Sequence, residues 1–350
     1  MNDKMTNDKL KVLVVDDASF MRKAVSDMLE SDDGIQVIDS AKNGLEGLEK
    51  IKSLHPDVIT LDIDMPIMDG LTAIRHIMIK SPVPIVVLSS LFADGAITFE
   101  ALRLGVVDFV PKPSGAISED INKAKQQIID RVKIAVSVNR KNIRRARIPR
   151  WNVREGLGDR CGFQPLDYIL TVGTSLSGPN TVIRLLSKLS PNLPAAVVVV
   201  QEISPRIISS FAEKFDEHVP WKVEVACDNM VLEQGICYIC SNENSIRIQT
   251  NGNGEAGLKT NNGTDEPLNQ LFSSAADVFG QNTIGVLLTG IGDDGADGFA
   301  RIKEKSGVTI AQDVDCCVYP NLTDNAIKRE IVNIVTDENN LSNEIESIMQ

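Results

Sequence analysis

The sequence of 350 residues has no apolar stretch near the roughly 18 residues that a membrane-spanning helix needs, so it predicts no membrane span. Its beginning, MNDKMTNDKLK, is polar and lacks the apolar core of a signal peptide. The six cysteines follow no disulfide-framework spacing; they lie at positions 161, 227, 237, 240, 316 and 317. We therefore expect reduced thiols in a cytoplasmic protein.

Positive charge is also scarce, since 36 Lys and Arg stand against 48 Asp and Glu, for a net charge of −12. This acidity argues against nucleic acid as the main partner and against a transcriptional output. The 43% of hydrophobic and 24% of charged residues are ordinary for a globular protein and exclude a mainly disordered chain. The length fits about two domains of roughly 150 residues each.

The first part of the chain alternates short β-branched runs with helical patterns. Apolar residues recur at helical spacing in 19–30 and 69–80, and a last helix is expected over 119–137. This alternation predicts a parallel sheet with helices on both faces. The strand-like runs are KVLVV at 11–15, QVIDSA at 36–41, DVITL at 57–61, PIVVL at 84–88 and DFVPK at 108–112.

From residue 166 the same α/β alternation resumes and predicts a second domain of the same class. Residues 138–165 are rich in arginine with little apolar periodicity, and we interpret them as a basic linker, either a solvated tether or a docking strip for an acidic partner. Residues 250–265, rich in Gly and Asn, predict a mobile surface loop. The expected fold is α/β, with two doubly wound parallel-sheet domains at 1–137 and 166–350.

Polar side chains follow the predicted strands of the first domain. Asp16 and Asp17 come after the first strand, Asp62 after the third, Ser89 after the fourth and Lys112 after the fifth. Carboxyl ends of parallel strands meet at one edge, where packed carboxylates need a cation such as Mg²⁺. One carboxylate could then act as a nucleophile toward a phosphoryl donor. An acidic pair after a strand is, by itself, more often a helix N-cap than a metal site.

Four segments of this domain, VLVVDDASFMRK, DVITLDIDMPIMDG, VVLSS and DFVPKP, resemble the signature of two-component receiver domains, which have a flavodoxin-like fold. The resemblance covers about residues 10–135. It implies that Asp62 is the phospho-acceptor. It also implies that Asp16, Asp17 and Asp62 bind Mg²⁺ together with the main-chain carbonyl of Asp64.

The same resemblance assigns three further residues. Ser89 corresponds to the switch hydroxyl, Phe109 to the switch aromatic side chain and Lys112 to the invariant lysine. Phe109 alone would also fit plain core packing. In a receiver these residues respond to phosphorylation, so the resemblance predicts a first domain that is controlled by a histidine kinase.

The predicted strand ends of the second domain carry Ser175 within GTSLSGP, Glu202 directly after VVVVQ, and Asp294 within TGIGDDG. A tight strand-turn-helix at Ser175 would expose the hydroxyl and offer N–H groups to an oxyanion, although a serine there is also typical of a helix cap. These stretches, with TIAQD, resemble the Rossmann-like catalytic domain of the chemotaxis protein-glutamate methylesterase family (CheB) over about 166–340. A receiver joined by a linker to this domain is the architecture of that family.

The family resemblance implies a Ser–His–Asp triad, with Ser175 as nucleophile and Asp294 as the acid, but Glu202 stands at the histidine position. The pKa of a free glutamate is near 4.3, about two units below that of histidine, so Glu202 is a weak base near neutral pH. We therefore expect low activity. Other positions also depart from the family pattern, namely Leu176, Ser177, Asn269 and Pro320.

No other histidine is expected to replace the missing one. His55 and His76 belong to the first domain. His218 ends a helical stretch at 205–217, and we predict that it is exposed and far from Ser175.

The resemblance implies a chemotaxis response regulator that demethylates glutamate methyl esters and deamidates glutamines on methyl-accepting chemoreceptors when a histidine kinase phosphorylates it. It implies Mg²⁺ for the receiver and no cofactor for the esterase domain. The alternative is a catalytically impaired pseudo-esterase that acts as a phosphorylation-dependent binding module. The motif CYIC at 237–240 lies in an apolar strand pattern and predicts core packing rather than a metal or redox site.

Overall fold

The computed structural model describes residues 9–89, 94–112, 118–138, 142–143, 166–263 and 266–349. The chain divides into two compact units, one formed by residues 1–93 and 100–145, the other by residues 94–99 and 146–350. Most of the predicted linker lies outside the described residues, so its role stays a prediction. None of the described helices has the length and apolarity that crossing a bilayer requires.

The N-terminal sheet has five parallel strands in the order β2-β1-β3-β4-β5. Its helices begin at side-chain caps where the sequence supplies them: Asn43 accepts the N–H of Glu46, and Asp69 accepts the N–H of Thr72. The elements are β1 (Leu10–Val15), α1 (Ser19–Glu30), β2 (Ile35–Ala41), α2 (Gly44–Leu54), β3 (Val58–Leu61), α3 (Gly70–Lys80), β4 (Ile85–Ser89), α4 (Gly95–Arg103), β5 (Asp108–Pro111) and α5 (Ser118–Val136).

The C-terminal sheet has seven parallel strands in the order β14-β13-β12-β6-β7-β9-β8, and β10 and β11 form a separate antiparallel pair. The strands are β6 (Tyr168–Gly173), β7 (Ala195–Gln201), β8 (Lys222–Val225), β9 (Ile236–Ser241), β10 (Asn244–Thr250), β11 (Ala256–Asn262), β12 (Thr283–Leu287), β13 (Val308–Gln312) and β14 (Ile334–Thr336). The helices are α6 (Gly178–Leu186), α7 (Ile208–Asp216), α8 (Pro267–Phe279), α9 (Ala296–Glu304), α10 (Asn321–Lys328) and α11 (Leu341–Ile348). The predicted pair of parallel α/β domains is confirmed.

Strand β7 shows why the second sheet is covered on both faces. All seven of its residues, AAVVVVQ, are buried, which is the pattern of a central parallel strand between two helix layers. On one face Phe272 of α8 and Phe299 of α9 are fully buried with ring centroids 4.9 Å apart. These rings belong to the main hydrophobic cluster of the second domain, which also contains Val198 and Val200.

The prediction of a surface loop at 250–265 was wrong for residues 256–262, which form β11 and pair with β10. The turn itself is confined to Asn251–Glu255, where the N–H of Asn251 donates to the carbonyl of Glu255. Leu258 is the one large apolar side chain in this strand and is fully buried. The sequence signal was weak because a single buried position gives no visible alternation.

His218 is buried, with 2% of its surface exposed, so the prediction of an exposed helix-terminal residue was wrong. Its Nδ1 lies 2.9 Å from the carbonyl oxygen of Lys214. The chain after α7 turns inward because Val219 and Trp221, which follow, are both core residues. The motif CYIC is buried in β9 as predicted, and burial raises the pKa of Cys240 to about 12, so this thiol stays neutral.

We predict that Phe272→Ala lowers the free energy of unfolding of the second domain by about 3–5 kcal/mol, because it leaves a cavity in a core that cannot fully collapse. Urea unfolding of the full chain measures this loss. Val335→Ala is the control in the same domain; Val335 is 47% exposed, and we expect a change of about 0.5 kcal/mol or less. Equal effects of the two substitutions would contradict the assigned core.

Candidate functional site

The carboxyl edge of the first sheet carries a cluster of charged side chains. Lys112, just after β5, places its Nζ 2.6 Å from Oδ2 of Asp16 and 2.7 Å from Oδ2 of Asp62. All three side chains are at least nine-tenths buried. Asp62 also accepts the N–H of Ile63 at 2.8 Å through its other oxygen. Strand ends that are distant in sequence therefore meet at one ion-pair network.

Burial raises the pKa of Asp62 above its ordinary value, and the contact with Lys112 offsets this rise only in part. Burial acts in the opposite direction on Lys112, but its hydrogen bonds to Asp16 and Asp62 hold its pKa above the ordinary value. The ammonium is therefore charged at neutral pH. Because the folded-state pKa of Asp62 is raised, this carboxyl favours the folded state in acid and loses that contribution as the pH rises through its folded-state pKa.

Three carboxylates of this edge fit a divalent cation. Asp16, Asp17 and Asp62 place carboxylate oxygens within 4.8 Å of one another. Lys112 supplies one positive charge against three carboxylates, so net negative charge remains for a cation to neutralise. An oxygen-only donor set of this kind suits Mg²⁺. Asp64, whose carbonyl the resemblance implied as a further ligand, is exposed in the loop after Asp62.

The two predicted switch residues lie on neighbouring strands, one on β4 and the other on the edge strand β5. Ser89 is the last residue of β4 and is 1% exposed, and its carbonyl accepts the N–H of Lys112 at 3.1 Å. Phe109 lies on β5 opposite Val87 and is partly buried. Its role as a switch side chain therefore stays a prediction.

Sequence reasoning missed Arg22, which holds the acidic loop in place. Its Nη1 donates to the main-chain carbonyls of Asp16 and Asp17, at 2.8 Å in both cases. Side chains of a helix point toward its N-terminus, so an arginine one turn into α1 reaches back to the loop before it. The spacing DDASFMR thus carried a signal that could have identified Arg22.

In the second domain the candidate site lies at the point where the strand order reverses. Strand β6 pairs with β7 on one side and with β12 on the other, and Gly173 is opposite both Val200 and Leu287. Gly173 of β6 is paired with Val200 of β7, and Ser175 and Glu202 each follow that pair by two residues. Both residues therefore lie just beyond the carboxyl ends of two adjacent strands, at the same edge of the sheet. Ligands of open α/β sheets bind at this reversal point.

The Ser175 hydroxyl is held by the main chain of the β12–α9 turn. The N–H of Ile291 donates to Oγ of Ser175 at 2.7 Å, and the hydroxyl lies 3.3 Å from the Ile291 carbonyl. The approach requires glycine, since a Cβ on Gly290 would lie 2.7 Å from this Oγ. A Cβ on Gly178 would lie only 1.9 Å from Oγ1 of Thr174, so the helix after Ser175 can start this close to the strand only with glycine.

Asp294 lies in the same turn and points at the start of α8. Its two carboxylate oxygens accept the N–H groups of Leu268 at 2.8 Å and Asn269 at 2.9 Å. Burial raises the pKa of Asp294, and these N–H groups offset the rise in part. The Ser175 hydroxyl instead forms both of its described hydrogen bonds with Ile291, so the structure brings the candidate residues to one edge without joining this hydroxyl to Asp294.

Comparison with known families agrees with this arrangement. The family model for CheB methylesterase matches residues 170–345. The chain belongs to this family. The family model for the response regulator receiver domain matches residues 12–123. The domain built on the five-stranded sheet is therefore a receiver domain, and the domain built on the seven-stranded sheet is the methylesterase domain.

Two relatives match this chain over more than nine-tenths of their own length. The protein-glutamate methylesterase/protein-glutamine glutaminase of Caldanaerobacter subterraneus subsp. tengcongensis is 36% identical and covers 93% of each chain. The protein of the same name from Pyrococcus abyssi is 35% identical over 95% of this chain and 91% of its own. The solved structure of the Thermotoga maritima CheB methylesterase catalytic domain covers 52% of this chain and 98% of its own, at 25% identity and a TM-score of 0.49.

We predict that Lys112→Met lowers the free energy of unfolding of the receiver domain by about 3–5 kcal/mol at pH 7, because two buried carboxylates lose their counter-charge. The loss should shrink near pH 4, because burial raises the pKa of Asp62 and this carboxyl takes up a proton as the pH falls, and Mg²⁺ should restore part of it at pH 7. Denaturant unfolding at the two pH values tests this. The control is Lys133→Met, which breaks the more exposed pair with Asp32 and should change little. A loss at pH 7 no larger than that of the control would contradict the role of Lys112.

Proposed function

We propose that this chain is a phosphorylation-controlled protein-glutamate methylesterase and glutamine deamidase of a chemotaxis pathway, with a slow catalytic step. The observation that carries the proposal is the position of Ser175, whose hydroxyl lies at the strand-order reversal against the N–H of Ile291. Relatives that match over more than nine-tenths of their length are named protein-glutamate methylesterase/protein-glutamine glutaminase, which favours an esterase over the pseudo-esterase alternative. Chemoreceptors are the proposed substrates, and a histidine kinase is the proposed phosphoryl donor.

In the receiver domain Asp62 is the proposed nucleophile. One of its carboxylate oxygens attacks the donor phosphorus, and the bond from phosphorus to the donor atom breaks. Mg²⁺, held by Asp16, Asp17 and Asp62 with the carbonyl of Asp64, would supply charge neutralisation at the phosphoryl oxygens. Lys112 is close enough to Asp62 to pair with the phosphoryl group once it is attached. Lys112 would then leave the Asp62 carboxylate, and Ser89 and Phe109 would change position in response.

In the esterase domain Oγ of Ser175 would attack the ester carbonyl, lose its proton to a base and expel methanol, and water would hydrolyse the acyl-enzyme. The N–H of Ile291 donates to Oγ and so orients the nucleophile, whereas the negative charge of the tetrahedral intermediate would develop on the substrate carbonyl oxygen. Glu202 is the side chain that leaves the adjacent strand at the same level and is the proposed base. A carboxylate that stays ionised near neutral pH accepts the proton weakly and cannot easily return it to the leaving group.

Asp62 is expected to accept phosphoryl from a small-molecule donor only with Mg²⁺, since the carboxylate cluster needs a cation before an anionic donor can approach. Phosphate-affinity electrophoresis after incubation with acetyl phosphate measures this. Asp62→Asn should remove the signal. Asp57→Asn, just before β3 and at the opposite end of that strand from Asp62, should retain it; the Asp57 carboxylate accepts the N–H of Lys11. Labelling of Asp62→Asn, or labelling without divalent metal, would disprove the assignment.

The rate of Ser175 chemistry should rise when an imidazole replaces the carboxylate. We expect Glu202→His to increase methanol release from methylated receptor on the order of 10²-fold, the lower end of what a positioned general base contributes, because Leu176 and Ser177 have also diverged. Glu213→His, on the exposed face of the following helix, is the matched control and should have no effect.

Two results would contradict this reading of residue 202. One is fast methanol release by the wild-type protein that is lost in Ser175→Ala, because Glu202 would then be a competent base. The other is a Glu202→His variant that reacts with a fluorophosphonate at the wild-type rate, because the serine would then not be poised for attack. The second result would favour the binding-module alternative.

A further inference from the structure

Helices α8 and α9 both begin without a cap of their own. The N-cap of α8 is Glu266, whose side chain makes no capping hydrogen bond, and the N-cap of α9 is Gly295, which has no side chain. The first N–H groups of a helix have no intrahelical acceptor and need one from elsewhere. At these two helix ends the acceptors come from the opposite helix or the turn that leads to it.

The two helix starts exchange caps. Asp294 accepts the N–H groups of Leu268 and Asn269, the second and third residues of α8. Asn269 in return accepts, through Oδ1, the N–H of Gly295 at 3.0 Å and that of Gly298 at 2.8 Å. Gly298 is the third residue of α9, so each side chain does for the other helix what an N-cap residue normally does for its own.

This exchange fixes one end of the turn that touches Ser175. The turn runs from the end of β12 to Gly295, and its near end is held because the N–H of Gly290 donates to the carbonyl of Tyr319 at 3.0 Å. Gly292 and Gly295 have φ of +104° and +98°, which glycine adopts without strain. The middle of the turn is held because Nδ2 of Asn325 donates to the carbonyl of Gly292 at 2.9 Å, and at the far end Oδ1 of Asn269 accepts the N–H groups of Gly295 and Gly298.

We propose that Asn269 is a positioning residue of the esterase site: by capping α9 it holds the turn that presents the Ile291 N–H to Ser175. The role of Asn269 in catalysis rests on the proposed esterase function, whereas its hydrogen bonds to the turn do not depend on that function. An amide suits this position because Asp294 is buried and already lies near the acidic Glu266. Asn269 supplies an acceptor without adding another negative charge.

Hydrogen exchange of the full-length protein, followed by mass spectrometry, tests the anchoring directly. In Asn269→Ala, amides of the segment 288–298 should exchange about tenfold faster, since two hydrogen bonds that oppose local opening are lost. Asn269→Asp keeps the acceptor and should remain within about threefold of wild type. The matched control is Asn333→Ala, which also removes an acceptor of two hydrogen bonds in this domain, both from Thr309, and should leave 288–298 unchanged.

Fluorophosphonate labelling of Ser175 in the Glu202→His background supplies the catalytic readout. Asn269→Ala should slow labelling about tenfold, Asn269→Asp should restore most of the rate, and Asn333→Ala should have no effect. Unchanged exchange of 288–298 in Asn269→Ala would overturn the proposal, as would an equal increase in Asn333→Ala. If the esterase proposal fails and no serine labelling occurs, the exchange experiment still decides whether Asn269 anchors the turn.

Discussion

Parallel pairing of strands is the constraint on which both sites depend. In a parallel sheet every strand ends at the same edge, so residues that follow different strands meet although they are far apart in sequence. In the first domain this brings Lys112 to Asp16 and Asp62, and in the second it brings the turn of Ile291 to Ser175. The helices cover both faces of each sheet, which leaves this edge as the place where polar side chains can gather.

The two edges use different chemistry. The receiver edge is built from charged side chains, and its one lysine is outnumbered by carboxylates, so the site retains negative charge that a divalent cation can neutralise. The esterase edge is built largely from main-chain groups: an N–H contacts the serine hydroxyl, and glycines permit the close approach. Main-chain donors remain when side chains change. This explains how the second edge keeps its shape although Glu202 stands where the resemblance implied a histidine.

Asp294 illustrates how one side chain can belong to the site and to the scaffold. Its carboxylate caps α8, while Asn269 of α8 caps α9, so the turn between β12 and α9 is tied to a neighbouring helix. The resemblance assigned Asp294 a catalytic part only. The geometry adds a structural one, because an acid that is held by two N–H groups is fixed in position before any base or substrate approaches.

The sequence by itself determined the fold class, because β-branched apolar runs such as AAVVVVQ alternate with helical patterns, and this alternation is typical of parallel strands between helices. It also placed Asp16, Asp62 and Lys112 at one edge, because each of them directly follows a strand. It could not show β11, since one buried leucine makes no pattern, and it misjudged His218, whose burial depends on the chain turning inward after α7. Only the tertiary structure decided that Arg22 supports the acidic loop and that Asp294 and Asn269 exchange caps. These contacts join a side chain to a main-chain N–H or carbonyl, and because every residue has such main-chain groups, the sequence does not show which of them is bound.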